Sequence, residues 1–188
     1  MRTRVKVCGI TQVGDVLAAA AAGVDAIGLV FAEASPRHVS IEQARALCAA
    51  LPPFVTAVGL FVDAPPAHIR AVLGQVPLDL LQFHGQETPE QCRGYGRPYI
   101  KAIPMRPGVD LPAAARRYAE AAGLLLDAYS PTVAGGTGEV FDWAQVPRDV
   151  LPDLVECDAV ETDAGHDVAV GIHAPLVEHL DGDVAAPP

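Results

Sequence analysis

The sequence predicts an α/β fold, a (β/α)8 barrel of the TIM type that is incomplete at strands seven and eight, on three observations. Short apolar runs alternate with helix-like stretches at a step of roughly 20–25 residues, the rhythm of repeated strand–helix units. The runs are continuously apolar rather than alternating, as in parallel strands covered on both faces. Six such units follow one another before the rhythm fails beyond Asp149. Six units in series favour the barrel, although periodicity alone leaves a doubly wound sheet open.

Each unit has its own signals. Val5–Ile10 reads as the first strand, and Asp15–Ala22 as an Ala-rich helix ended by Gly23. Asp25–Phe31 is the second strand; Ser40 then offers an N-cap to a helix over Ile41–Leu51, which Pro52-Pro53 stops. Val55–Val62 is the third strand, and Pro65-Pro66 opens the helix after it. Leu78–Phe83 is the fourth, followed by a short helix capped by Thr88 with Pro89 at its first position. Tyr99–Ile103 and Leu124–Leu126 are strands five and six, around an Ala-rich helix near Pro112–Ala122. Later, Leu151–Val155 and Asp167–Ile172 are strand candidates, while Glu156–His166 carries no helical stripe and no convincing turn to a barrel strand.

Composition narrows the class. The 188 residues are 51% hydrophobic and 19% charged, with no apolar run of membrane-spanning length. The start, Met1-Arg2-Thr3-Arg4, leads into a strand rather than an apolar signal region, so a cytoplasmic setting is expected. Four cysteines 40, 44 and 65 positions apart form no Cys-x-x-Cys pair and no zinc spacing. The net charge of −10 is concentrated late: residues 151–188 hold nine acids and no Lys or Arg. The preceding 150 residues carry 13 bases against 14 acids, so no basic patch for nucleic acid is expected.

In parallel α/β barrels, chemistry sits at the C-terminal ends of the strands. The polar residues falling there are Cys8, Arg37, His84 and Asp127. Strands one and six are not neighbours in a closed barrel, so Cys8 and Asp127 could face each other across the mouth as base and acid. A thiol serves as a base only if its thiolate is favoured, and Lys6 or the backbone N–H groups near Gly9 are the local groups able to do so. The bland alternative is a buried strand-end cysteine. Asp127 follows three leucines, where an acid is costly unless paired or functional; a loop or capping aspartate is the alternative. Arg37, in Ser35-Pro36-Arg37, presents a planar fork suited to a carboxylate, or is an ordinary surface arginine. His84 either binds substrate or satisfies rim backbone. Gly135 and Gly136, in Ala134-Gly135-Gly136-Thr137-Gly138, let backbone approach a ligand, but the stretch lacks the Lys of a P-loop. His166, His173 and His179 have no metal spacing.

Taken together, these segments resemble the phosphoribosylanthranilate isomerase family of tryptophan biosynthesis. The matching segments are Lys6-Val7-Cys8-Gly9-Ile10-Thr11, Gly28-Leu29-Val30-Phe31 with Ser35-Pro36-Arg37-His38-Val39-Ser40, and Val58-Gly59-Leu60-Phe61-Val62. They continue with Gln82-Phe83-His84-Gly85, Lys101-Ala102-Ile103, and Leu125-Leu126-Asp127-Ala128 with Gly135-Gly136-Thr137-Gly138 and Phe141-Asp142-Trp143. The resemblance implies a (β/α)8 isomerase that carries out an Amadori rearrangement on a small phosphosugar. It implies Asp127 as general acid, Cys8 as general base, and Arg37 as holder of the anthranilate carboxylate. His84, Gly135 and Gly136 are expected to line the substrate, with no metal and no organic cofactor. The expected partner is the substrate alone, without nucleic acid or membrane, in a monomer or homodimer.

The resemblance stops near residue 155. Residues 1–155 are expected to form the barrel domain, and 156–188 a divergent acidic segment of the same domain. The Gly turn after strand seven and the Ser-Gly segment after strand eight, which in the family supply donors to the substrate phosphate, have no counterpart here. A reading-frame shift would produce such a change. Two consequences are expected: unpaired edges on strands one and six, and weak or absent turnover from a lost phosphate grip. A non-catalytic barrel remnant that binds a ligand or partner is the alternative reading, and another phosphosugar barrel enzyme such as an epimerase is a third.

Overall fold

The computed structural model describes residues 4–128 together with 154–156, 158–161 and 167–171. Six parallel strands alternate with helices: β1 (Arg4–Cys8), α1 (Val13–Ala21), β2 (Ala26–Val30), α2 (Ile41–Ala49), β3 (Thr56–Phe61) and α3 (Pro66–Leu73). They continue with β4 (Leu80–Phe83), α4 (Pro89–Cys92), β5 (Tyr99–Met105), α5 (Leu111–Arg117) and β6 (Gly123–Ala128). Each strand pairs in parallel with the next, from β1 to β6, which makes a half-barrel.

Both faces of these strands are apolar, for two different reasons. Ile27, Leu29, Ala57, Phe61, Leu81, Phe83, Tyr99, Ile103, Leu124 and Leu126 pack against the helices in the main core. An aromatic series runs along that layer, Phe31 on Phe61 at 5.2 Å, Phe61 on Phe83 at 6.3 Å and Phe83 on Tyr99 at 5.8 Å. The alternate residues face the inside in two smaller clusters: Cys8, Val30 and Leu60, and Ile100, Ala102 and Leu125. Filled faces on both sides are what made the runs continuous in sequence.

Short-range devices set the boundaries. The Ser40 hydroxyl accepts from Gln43 N at 3.1 Å while Gln43 Oε1 accepts from Ser40 N at 2.9 Å, a reciprocal cap that starts α2. Asp110 caps α5 by accepting from Ala113 N at 2.8 Å. Two aspartates expected inside strands instead clip the strands together at their entry ends. Asp25 Oδ2 accepts from Val5 N at 2.9 Å, and Asp79 Oδ2 accepts from Ala57 N at 2.8 Å. At the other end β1 stops two residues earlier than Ile10, because Gly9 turns the chain at φ +86°.

The later strands add one element and correct one expectation. The stretch Glu156–His166, read as carrying no helical stripe and no convincing turn to a barrel strand, contains an antiparallel edge strand, β8 (Asp158–Glu161), between β7 (Leu154–Glu156) and β9 (Asp167–Gly171). The edges of β1 and β6, expected to be bare, are both covered. β7 pairs in parallel with β6, and β9 pairs with β1 over five residues, from Arg4 opposite Gly171 to Cys8 opposite Asp167. β9 runs antiparallel to β1, and β8 antiparallel to β9. Tertiary pairing supplied what local pattern did not: the edge N–H and C=O groups of β1 and β6 find partners that satisfy them.

A buried ion pair ties β5 to the loops after β3 and β4. Lys101 Nζ lies 3.3 Å from Glu87 Oε2, both side chains nearly inaccessible, and donates to Gly85 O at 2.8 Å and Ala102 O at 2.9 Å. Glu87 accepts from Asp63 N at 2.8 Å and Gly85 N at 2.9 Å, and Tyr118 Oη donates to Glu87 O at 2.8 Å. On the helical side of β5 a cavity of about 350 Å³ opens toward Arg117 and Tyr118 of the α5 region. Lys101 borders it with its N–H groups already committed to carbonyls.

Burial sets the chemistry of two cysteines. Desolvation, with Asp79 adding to it, pushes the Cys48 thiol up to about 11. Desolvation followed by Glu87 pushes Cys92 up to about 12, against a counteracting Lys101. Both therefore stay protonated fillers at neutral pH. Cys157 lies outside the described residues. For Cys92 the native thiol holds its proton more tightly than the unfolded one at 9.0. The associated stability is present below pH 9 and is lost as pH rises toward 12. Urea unfolding at about pH 8 and about pH 11 is expected to show a smaller loss in Cys92→Ala than in the parent chain; equal losses would refute the assignment.

Candidate active site

Cys8 ends β1 and Asp127 is the fifth residue of β6, so both stand where their strands run out toward the loops. The β1–β6 direction therefore brings the two to the same rim, on the first and sixth strands of the half-barrel. Cys8 is 7% exposed, packed with Val30 and Leu60 on the inner face, and is not in a disulfide.

Arg37 packs on Gly9, the residue that follows Cys8. The chain leaves β2, passes Ala32, and is braced at the loop by Arg37 N donating to Ser35 Oγ at 3.2 Å. Val39 N then donates to Val30 O at 2.9 Å, so the loop folds back onto its own strand. The Arg37 side chain packs against Gly9: a Cβ there would sit 3.1 Å from Nε and 3.2 Å from the nearer terminal nitrogen. Only a residue without a side chain, and able to hold φ +86°, leaves room for the Arg37 side chain there.

Asp127 is joined to His84. His84 Nε2 lies 3.1 Å from Asp127 Oδ2, with both side chains about 15% exposed. Its other ring nitrogen, Nδ1, is 3.0 Å from Nε2 of Gln82. The Gln82 amide nitrogen can only donate, so Nδ1 accepts and the ring proton faces the carboxylate. Gln82 itself is 2% exposed, and its Oε1 is buried with no hydrogen-bond partner. The sequence reading named His84 and Asp127 separately and missed Gln82. Its signal was the i, i+2 spacing to His84, which puts both on one side of an extended chain.

Of the expected site residues, Arg37 packs on Gly9, the residue after Cys8, and His84 and Asp127 form a hydrogen-bonded pair. Gly135 and Gly136 lie outside the described residues, as do residues 172–188. Among the described residues no group of three or more His, Cys, Asp or Glu side chains could hold a metal ion. No helix among them is long and apolar enough to cross a membrane.

Comparison with known proteins gives this geometry its context. A family model described as N-(5'-phosphoribosyl)anthranilate (PRA) isomerase matches residues 5–156. That match ends where the acidic segment begins. The N-(5'-phosphoribosyl)anthranilate isomerase of Azotobacter vinelandii is 63% identical over 183 residues, 97% of this chain and 88% of that protein, so this match runs well past Glu156. The crystal structure of phosphoribosyl anthranilate isomerase from Thermotoga maritima superposes with a TM-score of 0.69 at 40% identity, covering 76% of this chain and 69% of its own. A second crystal structure of phosphoribosyl anthranilate isomerase, in complex with reduced 1-(o-carboxyphenylamino)-1-deoxyribulose 5-phosphate, gives a TM-score of 0.63 at 40% identity, over 69% of this chain and 66% of that one. With most of its length matched by the family model and by close relatives, the chain belongs to the phosphoribosylanthranilate isomerase family.

Proposed function

We propose that the chain rearranges N-(5-phosphoribosyl)anthranilate to 1-(2-carboxyphenylamino)-1-deoxyribulose 5-phosphate, an aldose–ketose isomerisation in tryptophan biosynthesis. The observation that carries this reading is the arrangement of Cys8 and Asp127 at the mouth ends of strands one and six, in a chain 63% identical to a named isomerase over nearly its whole length.

In this reading Asp127, entering as the carboxylic acid, gives its proton to the furanose ring oxygen. The C1–O bond breaks and the anthranilate nitrogen's lone pair forms the C=N bond of an open-chain imine. Cys8, as thiolate, removes the proton from C2; those electrons form the C1=C2 bond and neutralise the nitrogen, leaving an enolamine. Tautomerisation then yields the ketose. Two separate groups suit the reaction because the proton donated and the proton removed belong to different atoms of one substrate. His84, fixed by Gln82, orients the Asp127 carboxyl. Arg37, lying on Gly9, offers its fork to the anthranilate carboxylate next to the base. Gly135 and Gly136 complete the substrate contacts.

The rest of the reading is a cytoplasmic enzyme, monomeric or homodimeric, with residues 1–155 as the barrel domain and 156–188 as its divergent acidic segment. A segment with eight acids and no Lys or Arg attracts a phosphate poorly. The expected result of a steady-state fluorescence assay of anthranilate phosphoriboside is therefore conversion with a KM above that of the Azotobacter vinelandii relative, and a lower kcat. Absence of any conversion by the folded chain would overturn the isomerase reading in favour of a ligand-binding barrel. An unraised KM would overturn the weak phosphate grip.

A further inference from the structure

We propose that Lys6 is a positioning residue for the base: its ammonium group sits beside Cys8 and stabilises the negative charge the sulfur carries when it acts as the base. The proposal rests on the reading of Cys8 as the general base, and it names the group that makes a cysteine fit for that task.

The argument starts from strand alternation. Lys6 and Cys8 are two residues apart in β1, so both side chains leave the strand on the same side, the inner one on which Cys8 packs with Val30 and Leu60. β1 pairs with β2 so that Cys8 stands opposite Gly28. Gly28 is buried inside a strand, where a glycine weakens the sheet unless something must come close to the backbone. Here two things do. A Cβ on Gly28 would lie 2.6 Å from Cys8 Sγ and 2.7 Å from Lys6 Nζ. Two atoms this close to one point lie within about 6 Å of each other, the range over which an opposite charge favours an ionised group. The missing side chain of Gly28 thus makes the space in which an ammonium and a sulfur meet.

The surroundings favour this use of the lysine. Lys6 is half-buried, and among the described residues it takes part in no ion pair with a carboxylate. Charge attraction is stronger on the inner face than in water, because the neighbours of Cys8 there are apolar. Two other charged residues are near in the fold: Arg37 packs on Gly9, and Asp167 is the backbone partner of Cys8 in the β1–β9 register. Arg37 belongs to the loop side, where its fork is the natural holder of the substrate carboxylate. Lys6, two residues earlier in the strand, is left to the sulfur.

The test reads the thiol directly, so it does not depend on turnover. Alkylation of Cys8 by iodoacetamide at neutral pH is followed by mass spectrometry of its peptide, in the full chain and in Lys6→Met and Lys6→Arg. Cys48 and Cys92, held near 11 and 12, give little background. Lys6→Met is expected to slow Cys8 alkylation roughly tenfold, equivalent to about 1.4 kcal/mol of lost attraction. Lys6→Arg is expected to restore most of the rate, and the acid limb of its turnover profile to stay near that of the parent while that of Lys6→Met moves to higher pH. Circular dichroism confirms that each variant is folded. An unchanged alkylation rate in folded Lys6→Met overturns the proposal, as does a Lys6→Arg rate no faster than that of Lys6→Met. Failure of Cys8 as the base shows differently, as normal turnover in Cys8→Ala with the alkylation results intact.

Discussion

Cys8→Ala and Asp127→Asn are each expected to lower kcat by about 10²–10⁴-fold, the usual worth of a positioned base or acid. Each removes a proton carrier while leaving the fold: Cys8 is small and lies among apolar neighbours, and asparagine keeps the shape of Asp127 beside His84. KM should change far less than kcat, because neither side chain is the principal grip on the carboxylate or the phosphate. The double variant should fall little below the worse single one, since ring opening and proton removal act in series on one molecule. Steady-state fluorescence on purified variants, with circular dichroism alongside, checks this. Normal kcat in either folded single variant would remove that residue from the mechanism. Arg37→Met is the contrasting case, with the loss expected mainly in KM.

The largest expected effect on stability lies away from the mouth, at Lys101 and Glu87. Breaking a buried ion pair by removing one partner costs about 3–5 kcal/mol, because the other charge is left behind in an apolar setting. Lys101→Met strands Glu87, whose remaining support is the N–H groups of Asp63 and Gly85. Glu87→Ala leaves Lys101 with carbonyl oxygens and the Tyr118 ring but no counter-charge, and leaves the N–H groups of Asp63 and Gly85 without the carboxylate that accepts from them. Against a typical domain stability of about 5–15 kcal/mol, either change should be severe. For a chain of this size a loss of that order lowers Tm by roughly 10 °C. Lys101→Met with Glu87→Gln should recover part of the loss, since a neutral amide costs less to bury than an unpaired carboxylate. Thermal unfolding of the three variants measures it; single variants within 1–2 °C of the parent would show that the pair contributes little.

Strands β1–β6 were legible because both of their faces are filled, one by helices and one by the inner clusters, so each strand left an uninterrupted apolar run. Their ends were less legible. Asp25 and Asp79 read as strand residues but serve as clips, a role set by N–H groups on neighbouring strands some twenty residues away. β8 left no readable pattern, because its existence depends on pairing with β9, and that pairing is antiparallel. At the site, Cys8 and Asp127 stood out as polar residues where buried runs end. What joins each to its neighbours did not. Gln82 matters only through the ring orientation of His84, and Lys6 only through the bare backbone of Gly28. Glycine inside a strand was the one local hint that something approaches closely there.

The reversed direction of β9 has a practical consequence for handling the protein. In a strand parallel to β1 the last residue would stand at the mouth, next to Cys8. In β9 the last residue, Gly171, stands opposite Arg4 instead, four residue steps or roughly 14 Å down the strand from Asp167. A surface linker joined directly to Gly171 would therefore hold the barrel by its floor. Molecules immobilised in this way would all present the same open end to solution.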